Sequence, residues 1–361
     1  DGRELIDLAE ALKVEVDVLE GWTSGDAAPT RGQVSELARV LHRPRAMFFL
    51  PRPPADATLP SSFRHPPGVA RTVSPNVRTV VRQSRYVQHA VAWARRDDAP
   101  VDMPSFSMSQ TDPVAAADVI RAWIDVSHET QLGWKDDRDA LNGWRTAFEA
   151  RGLLLFTIQI GKDEVRGFSA WDDHAPLVAA NTSGVSPAAR IYTLAHELGH
   201  LACRRDATCL EPDNDGEVLR SADVERWCEQ FAGAFLMPAD LIGSIAAKRA
   251  IKPKGAGLDD VKQVMLRCRV SARAAANRLI DVGLASRSLY GAVLKTFVPK
   301  GLDSGTPMSP PRHVARLRTY GPRVINTVFS ALPPRDAMNV LRVNVEDARD
   351  LAERVPGLRV P

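Results

Sequence analysis

The sequence predicts a mostly helical α+β protein with a small mixed sheet and with helical domains at both ends. Apolar residues recur at helical spacing over most of the chain, and the β-rich runs lie near its middle. A length of 361 residues is enough for two or three domains. The sequence has neither a long apolar run nor a signal-peptide pattern, and its four cysteines are scattered, so we expect a cytoplasmic protein.

Residues 1–50 form a compact helical pattern. One helix is predicted over Leu5–Leu12 and a second over Val14–Gly21, and Thr30 is placed to cap the next helix. This pattern resembles a repressor-type, XRE-like helix-turn-helix domain whose usual first helix would lie before Asp1 or is missing. The second helix, in the recognition position, carries three acidic residues, and their negative charges repel the phosphates of DNA. DNA binding and docking onto a protein therefore both stay open.

Residues 51–67 are rich in proline and are predicted to be an extended linker, whereas residues 68–148 are predicted to be helical. From Arg64 to Arg96 there are seven arginines and no acidic residue. Such a stripe fits a nucleic acid, an acidic partner or a solvated helix face, and the net charge of +3 does not decide among them. The expected core positions of the later helices are Ile120, Trp123, Ile124, Leu141, Trp144 and Phe148.

Two short β-rich runs follow, Gly152–Ile160 and Pro176–Asn181. One of them could be an exposed edge strand that accepts an extended peptide by β-augmentation. An ordinary core hairpin is the alternative interpretation.

The most informative stretch is residues 196–200, an H-E-x-x-H pattern. Residues four apart lie one above the other on a helix, so His196 and His200 can point at one ion while Glu197 sits a short rotation away. The preceding residues 188–195 have helix-forming composition with apolar positions at helical spacing. The stretch therefore predicts two metal ligands and a base on one helix.

A metal hydrolase of this kind needs a third protein ligand, with the fourth position left to water. Val224–Pro238 is predicted to be one amphipathic helix on which Glu225 and Glu229 share a face. Either carboxylate could complete the site, and a solvated acidic face is the alternative. Cys203 is a rival, but the rise along the helix from His196 is about 10 Å, so we expect it to pack against the core.

Several stretches together resemble the ImmA/IrrE family of metallopeptidases. They are residues 190–201, Glu225 and residues 231–238, and residues 165–178 resemble the sheet segment that precedes the metal helix in many members. The resemblance covers residues 150–240 and extends more loosely over the whole chain.

The resemblance implies a zincin-like metallopeptidase core in which His196, His200 and Glu225 hold the metal and Glu197 is the catalytic carboxylate. Glu229 departs from the residue that the family often shows at its position. Two imidazoles and a carboxylate suit Zn²⁺ best, with Mn²⁺ or Fe²⁺ as alternatives. Glu197 would take a proton from the attacking water and return it to the leaving amine.

The implied domain plan places the metallopeptidase core at residues 149–245, a helical subdomain at residues 246–300 and a helical tail at residues 301–361. Within the subdomain, Ser271 is predicted to cap the second helix of a pair.

Two function classes follow. The resemblance implies an intracellular metallo-endopeptidase that cleaves a specific protein, a repressor or antitoxin-like DNA-binding regulator, and so switches gene expression, for example under stress. The alternative is a DNA-binding transcription regulator whose metal site is structural or sensory. Its DNA contact would come from the helix-turn-helix or the Arg64–Arg96 segment, and no membrane partner is expected. Glu197 favours the peptidase, because a structural site needs no carboxylate in the position of a general base.

Overall fold

The computed structural model describes residues 3–41, 43–50, 63–64, 74–162, 164–203, 221–297 and 310–359. The chain divides into two compact units. The first unit comprises residues 1–59 and 70–85, and the second comprises residues 60–69 and 86–361. Apart from residues 63–64, the predicted proline-rich linker lies outside the described residues.

The first unit contains three short α-helices and a 3₁₀ helix: α1 (Leu5–Leu12), α2 (Val16–Ser24), α3 (Arg31–Val40) and Arg45–Phe49. The predicted cap at Thr30 is confirmed, because its Oγ1 accepts from the Gln33 backbone N–H while the Gln33 side chain accepts from the Thr30 N–H. Of the three acidic residues noted in the sequence, Asp17 and Glu20 lie on α2 and Glu15 immediately precedes it, and all three are exposed.

The second unit holds the sheet and most of the helices. In chain order its elements are β1 (Phe63–Arg64), the second half of α4 (Pro75–Ala94), α5 (Pro113–Ile124), α6 (His128–Leu132), α7 (Asp137–Ala150), β2 (Leu154–Ile158), β3 (Gly167–Ala170), β4 (Leu177–Asn181), α8 (Pro187–Ala202), α9 (Ser221–Leu236), α10 (Ala239–Lys248), α11 (Leu258–Cys268), α12 (Ala272–Asp281), α13 (Ser288–Thr296), α14 (Arg312–Ala331), α15 (Pro334–Leu341) and α16 (Val345–Ala352). The mostly helical α+β class is thus confirmed.

The arginines of the Arg64–Arg96 segment do not form an exposed face on α4. Arg78, Arg82 and Arg85 are each half-buried on this helix.

The sheet is mixed, with strand order β1-β3-β4-β2. Both predicted β-rich runs form strands, β2 and β4, which pair in parallel, and β3 is antiparallel to β4. Every residue of β2, β3 and β4 is buried. The buried character of all three strands reflects the helices that cover both faces of the sheet.

One face of the sheet joins the main hydrophobic core. Leu155 of β2 and both Val178 and Ala180 of β4 point into it, and α7, α8 and α9 complete it. Five of the expected core positions, Ile120, Ile124, Leu141, Trp144 and Phe148, are buried as predicted, and Trp123 packs at the margin. The ring centroids of Trp144 and Phe235 lie 5.0 Å apart, so α7 and α9 meet through aromatic side chains.

Helix α14 is kinked in its middle. Gly321 has φ +78° and Pro322 has no N–H, so the carbonyl of Arg318 loses its helical donor. The hydroxyl of Thr157 donates to this carbonyl at 2.7 Å, and the guanidinium of Arg145 donates to it at 3.0 Å. Side chains of β2 and α7 therefore satisfy the polar group that the kink frees.

Helix α14 also reaches the other face of β2, because the Tyr320 ring packs against Phe156 with centroids 4.9 Å apart. Phe156 and Thr157 are neighbours in a strand and point to opposite faces. Helix α14 therefore crosses the outer edge of β2.

Farther along the chain, the predicted cap at Ser271 is confirmed: its Oγ accepts from the Ala274 N–H at the start of α12.

No single helix among the described residues is long and apolar enough to cross a membrane. The bent pair formed by α9 and α10 passes that test of length and composition jointly.

Candidate metal centre

Helix α8 carries the H-E-x-x-H pattern and begins with an N-cap serine followed by proline. The Ser186 hydroxyl accepts from the Ala189 N–H, and Pro187 occupies the first turn, where no N–H partner is needed. The helix then runs to Ala202 between the sheet and α9. Because it is covered on both sides, its second half is buried along its whole circumference.

Three side chains from α8 and α9 converge at one point. The Nε2 atom of His196 lies 3.2 Å from Oε2 of Glu225, and Nε2 of His200 lies 3.6 Å from Oε1 of the same carboxylate. The histidine side chains are 1% exposed and that of Glu225 is 28% exposed, so the cluster opens on the carboxylate side. Within the described residues, these three form the group of His, Cys, Asp and Glu side chains that could hold a metal ion.

The geometry fits a single divalent ion. Four donors placed tetrahedrally about 2.0–2.1 Å from Zn²⁺ are separated from one another by about 3.3 Å. The two distances between imidazole and carboxylate bracket that value, and all three donor atoms lie within 4.8 Å of one another. Two imidazoles and one carboxylate are also a donor set that leaves a fourth position for water or substrate.

The two other ligand candidates lie outside this cluster. Glu229 is exposed, and its backbone carbonyl accepts from the Tyr192 hydroxyl at 3.0 Å. Cys203 stands at the end of α8, where it is half-buried against the main core, as predicted.

Glu197 lies next to the cluster and is fully buried. Its Oε2 accepts a hydrogen bond from the Ser169 hydroxyl of β3 at 3.1 Å, and Ser169 is itself 3% exposed. Sequence reasoning did not single out Ser169. The alternation of a strand beside α8 was the available signal, since Gly167 and Ser169 must share one face of β3.

Neither predicted strand is an exposed edge among the described residues, so that interpretation is wrong. Strand β4 is internal, and α14 crosses the outer side of β2. Strand β3, beside α8, pairs on its far side with Phe63 and Arg64 of β1.

Gly167 allows α8 to approach β3 closely. A Cβ added at this position would lie 2.4 Å from Cγ2 of Thr193 and 2.6 Å from the carbonyl oxygen of Ala179, both far below normal contact. We expect Gly167→Ala to lower the free energy of unfolding by about 1–3 kcal/mol, because a backbone carbonyl cannot move aside as a flexible side chain can. Urea denaturation of the purified chain measures this loss.

Gly233→Ala in the interior of α9 is the matched control. A Cβ added there meets no atom within 4 Å, so this variant should gain about 0.5–1 kcal/mol from higher helix propensity. Equal effects of the two substitutions would contradict the close packing of α8 and β4 around Gly167.

Comparison with known families concerns the part of the chain that holds this centre. Residues 148–279 match the family model described as Peptidase_M78, the IrrE N-terminal-like domain. This segment is similar to the IrrE N-terminal-like domain. The match confirms the resemblance to the ImmA/IrrE family seen in the sequence. A metallopeptidase family implies a divalent metal and a protein substrate. No curated protein matches the chain.

Side chains that precede the matched segment fix α9, and with it Glu225, through the buried C-terminal end of that helix. The guanidinium of Arg121 donates to the Phe235 carbonyl at 2.8 Å, and the amide of Gln131 donates to the Leu236 carbonyl at 2.8 Å. Burial lowers the pKa of Arg121 to about 10, which still leaves it charged at neutral pH. These bonds satisfy carbonyls that have no helical partner.

The domain match extends past the predicted core boundary at residue 245 and includes α11 and most of α12. Arg278 of α12 gives one structural reason, because its Nε donates to the Met237 carbonyl at 2.8 Å. Helix α12 thereby helps to hold the helix that carries Glu225.

Proposed function

We propose that the protein is a metallo-endopeptidase in which His196, His200 and Glu225 hold a divalent metal and Glu197 is the catalytic carboxylate. The observation that carries this proposal is the position of Glu197. It is a fully buried carboxylate one residue from a metal-type donor cluster, and it lies outside that cluster. A site that only stabilised or sensed would not need this second carboxylate.

The chemistry follows from the donor set. When bound, a divalent ion of this kind polarises the scissile carbonyl and lowers the pKa of water to about 7. Glu197 accepts the proton of the attacking water and passes it to the nitrogen of the leaving amine. Zn²⁺ is the proposed metal, and metal analysis of the purified protein distinguishes it from Mn²⁺ and Fe²⁺.

We further propose that the target is a repressor or antitoxin-like DNA-binding protein, as the ImmA/IrrE resemblance implies. The helix-turn-helix-like first unit supports selection of a protein partner. Glu15 at the start of α2 and both Asp17 and Glu20 within it are exposed, and such acidic side chains repel phosphates and favour a basic protein surface. Cleavage of such a regulator would change the expression of the genes that it controls.

The test compares two populations of cells, one with the wild-type chain and one with Glu197→Gln. N-terminal profiling of both proteomes identifies the peptide bonds that are cut only by the wild type. We expect new N termini in one or a few helix-turn-helix regulators. Identical profiles, with metal present in both purified proteins, would contradict the peptidase function. New N termini confined to unrelated proteins would contradict only the proposed target class.

A further inference from the structure

We propose that Ser169 is a positioning residue that holds the carboxylate of Glu197 in the orientation needed for proton transfer. The inference rests on the proposed function, because it gives Glu197 the role of base. It concerns a residue of the sheet that lies outside the H-E-x-x-H pattern and outside the metal ligands.

Two residues of strand β3, Gly167 and Ser169, contact the side chain of Glu197 or lie directly beneath it. Gly167 and Ser169 are two residues apart in a strand, so both face α8. On α8, Thr193 and Glu197 are four residues apart and lie on one side of the helix. A Cβ on Gly167 would stand 3.3 Å from Cγ of Glu197, so the stem of the glutamate packs directly over this glycine.

Ser169 acts at the end of that stem. Its hydroxyl donates its single proton to Oε2 of Glu197 at 3.1 Å, and both side chains are buried. A hydrogen bond to a charged acceptor is stronger than a neutral one and is not weakened here by competing water. Because one carboxylate oxygen is held, rotation about the last side-chain bond of Glu197 is restricted. The direction of the second oxygen, Oε1, is therefore fixed as well.

This restriction matters for rate more than for binding. A base that is displaced by a fraction of an ångström transfers protons poorly, whereas the contacts with an extended substrate are unchanged. The hydroxyl of Ser169 donates its proton to Glu197, which lies outside the donor cluster, so metal affinity should not depend on Ser169.

The first test uses Zn²⁺-loaded full-length protein and an equimolar library of synthetic peptides, from which the peptide cut fastest by the wild type is taken. Ser169→Ala should lower kcat about 10- to 100-fold with little change in KM. Ser169→Thr, which keeps the hydroxyl, should recover most of the loss. Ser84→Ala is the matched control, since Ser84 is 2% exposed and donates only to the Val80 carbonyl of its own helix. It should leave kcat unchanged.

The second test needs no substrate. Zn²⁺ affinity, measured by competition with a chromophoric chelator, should be the same for Ser169→Ala and the wild type. Ser169→Ala should lower Tm by about 2–4 °C when Glu197 is present and by much less in a Glu197→Ala background, because the bond is then already lost.

The outcomes separate the two proposals. Wild-type kcat in Ser169→Ala, or a Tm loss that is the same with and without Glu197, would overturn the positioning role. A loss of kcat accompanied by a loss of Zn²⁺ affinity would also overturn it, since the serine would then act on the metal ligands. If the wild type cut no peptide at all, the proposed function would fail, and the Tm coupling would still decide whether Ser169 holds Glu197.

Discussion

Glu197→Gln is expected to lower the rate of peptide cleavage by about 10²–10⁴-fold while the bound metal stays at one ion per chain. Glutamine has nearly the same shape and can still accept a hydrogen bond from the Ser169 hydroxyl, so the fold and the contacts of this side chain with β3 are kept. It cannot accept the proton of the attacking water. The loss therefore falls on the chemical step, and single-turnover measurements with the loaded protein should show it directly.

The matched control for this variant is Glu229→Gln, which makes the same chemical change on an exposed carboxylate of α9. It should cleave at a rate close to that of the wild type. Retention of more than about a tenth of the activity in Glu197→Gln would exclude general-base catalysis by this residue, given the usual size of that contribution.

Glu225→Gln is expected to weaken Zn²⁺ binding by more than the roughly 10–100-fold that is typical when a partner of a ligand is lost. Glu225 faces both imidazoles, at 3.2 Å from His196 and 3.6 Å from His200, so the neutral amide removes the only charge among the three donors. Isothermal titration with Zn²⁺ measures the change. A second readout is thermal stability, because excess metal at about 100 times Kd should stabilise the wild type by roughly 2.7 kcal/mol.

Glu229→Gln again serves as the control, since it lies one turn farther along the same helix. It should bind Zn²⁺ as tightly as the wild type and show the same stabilisation by metal. The reverse result, with tight binding in Glu225→Gln and weak binding in Glu229→Gln, would mean that α9 presents its other carboxylate to the ion.

Much of this centre could be predicted from local patterns in the sequence. The H-E-x-x-H spacing places two imidazoles on one face of any helix, and Ser186 and Pro187 start that helix at the right point. The helix over Val224–Pro238 was equally clear from its apolar stripe, and the structure has it as Ser221–Leu236. The choice between the two glutamates came from the family resemblance and not from the stripe. The two residues share a face, so the pattern alone left them equivalent.

What separates Glu225 from Glu229 is the fixed rotation and depth of α9, and these depend on contacts far away in the sequence. Arg121 and Gln131 hold the end of the helix from more than 100 residues upstream. The pairing of β2 with β4 in parallel, and the bond from Ser169 to Glu197, are likewise set by how distant segments meet. No local periodicity encodes such contacts, which is why neither could be deduced from the sequence.

The path of α14 across the outer side of β2 bears on how the protein behaves at high concentration. The end strand of a sheet offers a row of N–H and C=O groups that another molecule can join, which is a common start of aggregation. Here that position is occupied by a kinked helix that is anchored through Arg318 on one face and Tyr320 on the other. Helix α14 thus shields this sheet from other copies of the chain.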